Sequence, residues 1–168
     1  MKQLLVLSLV LTGCASTLPE IKHDLEEGAQ KVAEAIDHGR NAVVAARKKQ
    51  DQLRGELQPF AMASVQLCSG VPVDPQACAD LDVIQNELFR AFDVSGQALT
   101  VAEQAAFDAS AAFRTFSEGH GSFKAAFDGA AKLVAAARKA GDGVEQLLAV
   151  AKDYAEAVSN LAAKLKQA

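Results

Sequence analysis

Tryptophan is absent from this chain, tyrosine occurs once, at Tyr154, and eight phenylalanines make up the rest of the aromatic content. A core with so few large rings must close through small side chains. Alanine, the strongest helix former, is the commonest residue of the apolar half of the composition, whereas strands favour β-branched and aromatic residues. No stretch alternates apolar and polar residues convincingly, so the expected class is all-α. Basic residues never form a stripe interleaved with aromatics, which argues against nucleic acid as a partner. A glycine-rich phosphate loop, a metal-ligand cluster and a Ser or Cys in a nucleophile motif are also missing from the sequence. Those three deficits argue against an enzyme, and no cofactor is expected.

Long apolar runs are lacking too. The run from Leu4 to Leu11 falls well short of the roughly 17 to 25 residues that span a bilayer. It follows the single positive charge of Lys2 and ends in Thr12-Gly13-Cys14, which gives it the layout of a short secretory signal. Leu11-Thr12-Gly13-Cys14 resembles the lipobox of bacterial lipoproteins. The resemblance implies cleavage before Cys14, a diacylglyceryl group on its sulfur, and acylation of the new amino group. Two or three chains would hold the protein firmly, since one acyl chain alone binds only marginally. It covers about fourteen residues and bears on address and anchor alone. Residues 1–13 are then a removed signal, 14–18 the lipid anchor and linker, and 19–168 the domain. Loss of Lys2 takes the formal charge from −4 to −5 and leaves about 155 residues, enough for one domain. In a host with two membranes, Ala15 after the cysteine resembles the pattern of lipoproteins sent to the outer membrane. The expected location is therefore its periplasmic face.

Three periodic segments follow. In the first, Ile21, Leu25, Val32, Ile36, Val43, Ala46, Leu53, Leu57 and Phe60 fall on steps of three and four, the spacing of a coiled-coil seam. Pro19 suits its first helical position, and Pro59 is expected to end or kink it. Ser69 to Pro75 stops any helix. The second carries Leu81, Ile84, Leu88, Phe92, Leu99, Ala102, Ala106, Ala109, Phe113 and Phe116, with possible loosening at Ser95-Gly96 and a restart at Thr100 with Glu103. Glu118-Gly119-His120-Gly121 ends it. The third places Phe123, Phe127, Ala130, Val134, Ala137, Val144, Leu148, Ala151, Ala155, Val158, Ala162 and Leu165 on one seam, with Gly141 as the missing rung. Leu133, Leu147, Tyr154 and Leu161 form an adjacent seam, and a kink at Gly141-Asp142-Gly143 is as expected as continuity. A helix with two seams faces two neighbours. The expectation is an elongated three-helix up-down-up bundle, about 60 to 70 Å long, with coiled-coil-like, alanine-rich packing.

Two cysteines remain after Cys14, and they bracket residues 69–77. Export permits disulfides, so Cys68 and Cys78 are expected to pair and staple the distal hairpin. Metal is not expected there, nor at the His23/Glu27 and Glu34/His38 pairs, for which exposed ion pairing is the better reading. His120 reads as a solvated turn residue. Between Pro59 and Ser122, Arg90 and Arg114 stand against eight acidic residues, which gives the second helix an acidic outer face. Phe107, Phe113, Phe116, Phe123 and Phe127 gather around the second turn, where core packing is the expected role. The functional expectation is a membrane-anchored envelope lipoprotein that acts as a structural or protein-interaction module, held through Cys14 and facing an envelope protein or cell-wall material. An immunity or exclusion lipoprotein that blocks another envelope protein is the alternative reading; an enzyme with a site between helices is less favoured.

Overall fold

The computed structural model describes residues 18–69 and 74–167. The apolar run, Cys14 and the linker, together with Val71 to Val73 of the distal loop, lie outside the described residues. The described chain is three helices, α1 (Leu18–Cys68), α2 (Pro75–Ser117) and α3 (Phe123–Gln167), and no strand. Side chains from the two ends fix the topology. Phe123 lies against Gly28 near the start of α1, and Lys164 reaches Asp74 beside the end of α1. Successive helices therefore run antiparallel, as an up-down-up bundle. At 1.5 Å per residue, the 43 residues of α2 and 45 of α3 extend for about 65 Å.

Helix ends follow turn chemistry. Asp74 caps α2 by accepting a hydrogen bond from the Ala77 amide at 2.9 Å, and Pro75 takes the first helical position, where no amide is needed. At the second turn Gly119 adopts φ +80°, a left-handed conformation that disfavours any residue with a Cβ, while His120 donates its amide to Thr115 O. Ser122 then caps α3 through the Ala125 amide.

Pro59 does not end α1, which runs on to Cys68. Both Pro59 and Gly55, whose carbonyl loses its amide donor, are exposed, so water can take the freed carbonyl. Nor do α2 and α3 break at Ser95-Gly96, Thr100 or Gly141-Gly143. Thr100 instead donates back to Gly96 O, and Glu103 pairs across to α1.

The seams of α1 and α2 run through the expected residues, with rungs that hydrophobicity does not flag. Gly39, Gln50 and Ser64 fill the gaps on α1, and Ser95 fills the gap on α2. Of the α1 seam, Leu25 is exposed, and the side chain of Ile21 lies outside the described residues. On α3 the centre is rotated by one residue from the expected stripe. Ala126, Ala130, Leu133, Ala137, Ala140, Val144, Leu147, Ala151, Tyr154, Val158 and Leu161 are buried, whereas Val134 is 44% and Leu148 39% exposed. The core combines the adjacent seam of Leu133, Leu147, Tyr154 and Leu161 with Ala130, Ala137, Val144, Ala151 and Val158 of the first seam. Full burial of one such leucine contributes about 1.5–3 kcal/mol. Core residues fall into two clusters, one from Val32 to Ala46 with its neighbours and one from Leu53 to Leu57 with theirs, separated at the height of Gln50 and Ser95.

Candidate interaction groove between α1 and α2

Close packing of α3 against both partners uses small residues. The Cβ of an alanine at Gly129 would stand 3.1 Å from Ala109 Cα, and one at Gly143 would stand 3.4 Å from Ser95 Cα. Between α1 and α2 the packing opens into a groove instead. Its apolar section, about 590 Å³, is lined by Leu57, Ala61, Leu88, Phe89, Phe92 and Tyr154, with Asp51, Arg54, Gln58 and Gln85 at the rim. Phe89 is 56% exposed there. A more polar section, about 640 Å³, continues past Phe92 to Gly96, Gln97, Thr100 and Val101. Arg54 divides the two by standing 5.6 Å over the Phe92 ring, a cation–π contact.

The groove floor is anchored by two polar links. Gln50 Nε2 donates to Ser95 Oγ at 2.7 Å and to Phe92 O at 3.3 Å, while its carbonyl oxygen accepts from Arg47. Tyr154 Oη donates to Ser64 Oγ at 2.9 Å, which joins α3 to α1 beneath the apolar section. Arg47 spans the upper groove with a two-point pair to Glu103 at 2.9 and 3.0 Å. The hydrogen bond to Glu103 raises the Arg47 pKa further, against a small desolvation effect.

Cys68 and Cys78 stand with Cα atoms 5.8 Å apart and sulfurs at 2.02 Å, disulfide distance. Around the second turn Phe113, Phe116, Phe123 and Phe127 form a chain of ring contacts at 6.2, 5.6 and 6.4 Å. Phe107 does not join them. It is 68% exposed, four residues beyond Glu103 on α2. Glu34 accepts from Gln30, four residues back, and not from His38; the His23 side chain lies outside the described residues. His120 is exposed in its turn. Among the described residues no three His, Cys, Asp or Glu side chains come together as a metal site.

The groove is not among the features expected from the sequence. One signal was legible: Arg40, Arg47 and Arg54 recur at seven-residue spacing beside the seam, facing a helix with Phe89, Phe92 and Phe107. The chain matches no family model, no curated protein and no solved structure.

Proposed function

We propose that this protein is a lipid-anchored envelope lipoprotein whose rod carries a protein-interaction surface, the α1/α2 groove, and that it acts by binding. The carrying observation is the 590 Å³ apolar section with a half-exposed phenylalanine, Phe89, on its wall. An apolar recess rimmed by polar residues is the kind of surface that a partner covers. The Cys14 lipobox supports the anchor, and Ala15 supports the periplasmic face of an outer membrane. Only Ala15 to Thr17 separate Cys14 from the start of α1, so the groove residues 47–61 would stand about 45 to 65 Å along α1 from that start. The anchor sets the height of the surface.

Two measurements test this. Intact mass of protein made in a bacterium should show acyl mass on Cys14, and Cys14→Ser should release the chain from the membrane fraction; an unacylated Cys14 overturns the anchor. A photo-crosslinking side chain at Phe89 should give a protein adduct in cells, and one at Lys139 on the outer face of α3 should give none. No adduct at Phe89 overturns the module.

A further inference from the structure

The two helices that form the groove carry opposite charge along this stretch, although only Arg47, Asp51 and Arg54 on α1 and Asp93 on α2 are charged residues of the lining itself. On α1, between Arg40 and Arg54, five basic residues (Arg40, Arg47, Lys48, Lys49, Arg54) accompany one acid, Asp51. On α2, between Asp82 and Asp108, five acids (Asp82, Glu87, Asp93, Glu103, Asp108) accompany one base, Arg90. Arg47 and Glu103 are paired within the chain. Arg54 and Asp93 are exposed at the groove, and Arg40 and Asp108 are exposed farther along the same two helices. Apolar side chains extend the stripe at both ends. Val44 and Val65 continue the α1 wall in steps of three and four, Phe107 continues the α2 wall, and all three are exposed.

Resting on the reading of the groove as an interaction surface, we propose that its occupant is a second copy of this chain, seated face to face about a two-fold axis parallel to the helices. Symmetry makes the choice. A two-fold along the bundle keeps each residue at its own height and exchanges the walls, so α1 of one copy lies over α2 of the other. Arg54 stands beside Phe92 within one chain, so the Arg54 of the second copy reaches the level of Asp93. By the same antiparallel register Arg40 reaches the level of Asp108. A two-fold across the bundle instead sets α1 on α1 and basic wall on basic wall, which like-charge repulsion disfavours. The favoured axis also leaves both N-termini at one end. That suits two lipid anchors in one membrane.

The test exploits the exchange of walls. Lipidated full chain in density-matched detergent should sediment as a dimer. Arg40→Glu/Arg54→Glu on one chain, or Asp93→Arg/Asp108→Arg on another, should each weaken self-association at least about tenfold, because both copies of the contact become like-charged. Mixing the two variants should restore dimerisation to within about threefold of the original, since each acidic α1 then meets a basic α2. Circular dichroism melts establish that each variant is folded, and Phe89→Ser, a change at a half-exposed site, should also weaken the dimer. A monomer at every concentration, variants that self-associate like the original, or mixing without rescue each overturn the proposal. A Phe89 photo-adduct to a different protein from a monomeric chain overturns the second copy and keeps the interaction surface. Absence of any adduct removes both.

Discussion

Gln50 is 1% exposed and Ser95 is fully buried, yet every polar atom of the pair has a partner. Such a layer contributes little net energy when complete, because it replaces hydrogen bonds to water, but removing one member leaves buried groups unsatisfied. A double-mutant cycle in urea should therefore show non-additivity. Ser95→Ala should cost about 1–2 kcal/mol, and Gln50→Leu/Ser95→Ala should cost about 1 kcal/mol less than the sum of the single changes. Additive values would mean that the pair is not coupled. At the distal end, the Ala77 amide and then Lys164 hold the Asp74 carboxyl below the usual carboxylate range. A lowered folded pKa means that its stabilisation is present above the unfolded pKa and is lost as pH falls through the folded value. The stability gap between the natural chain and Asp74→Ala should thus be full at pH 7 and shrink below about pH 4. A gap that does not depend on pH would show that charge plays no part in the cap.

Within each helix, glycines of identical propensity have opposite structural roles. The Cβ of an alanine at Gly39 would meet Leu133 Cγ at 2.7 Å, and Leu133 is fully buried. Gly39→Ala should destabilise by about 1–3 kcal/mol through overpacking. At Gly141 nothing lies within 4 Å of the added methyl, so Gly141→Ala should stabilise α3 by up to about 1 kcal/mol from helix propensity alone. Thermal melts of the two variants decide this; shifts of the same sign would contradict the packing. The contrast also explains why α3 is continuous through Gly141-Asp142-Gly143. Gly143 lies against Ser95, and the flanking Ala140 and Val144 are both buried, so tertiary contacts hold a segment that propensity alone would weaken.

Over the whole molecule, the Cys68–Cys78 geometry and the proposed lipid anchor at Cys14 would give the rod two ends with different physics. Closing the distal loop constrains the unfolded chain, and for eleven residues the chain-entropy relation gives about 2.8 kcal/mol. Reduction of exported protein should lower the melting temperature while the helical signal survives, because the helices pack along their full length away from the loop. Free thiols on both cysteines in exported material would contradict the staple. The near end should be found at the membrane. With α2 running 43 residues between the turns, a fluorophore at Ser122 of lipidated protein should be quenched by lipid-borne quenchers far more than one at Gln76, about 60 Å away. Equal quenching would mean that the rod lies flat on the bilayer.

The sequence by itself determined the class and the two turns that separate three helical segments. Alanine-rich periodicity, Ser69 to Pro75 and Glu118 to Gly121 act through local backbone preferences, which need no partner to be expressed. It also determined which cysteines meet, since antiparallel helices on either side of a short loop bring Cys68 and Cys78 together. Tertiary structure decided the rest. On α3 two adjacent stripes both satisfy steps of three and four, and alanine occupies either without distinction. Only contact with Gly39, Ser95 and Ala109 selects Leu133, Leu147 and Tyr154 over Val134 and Leu148. Gln50 and Ser95 read as surface residues until each supplies the other's hydrogen bond across 45 positions of chain. The groove belongs to neither α1 nor α2, because an opening between two helices exists only once a third has fixed their separation.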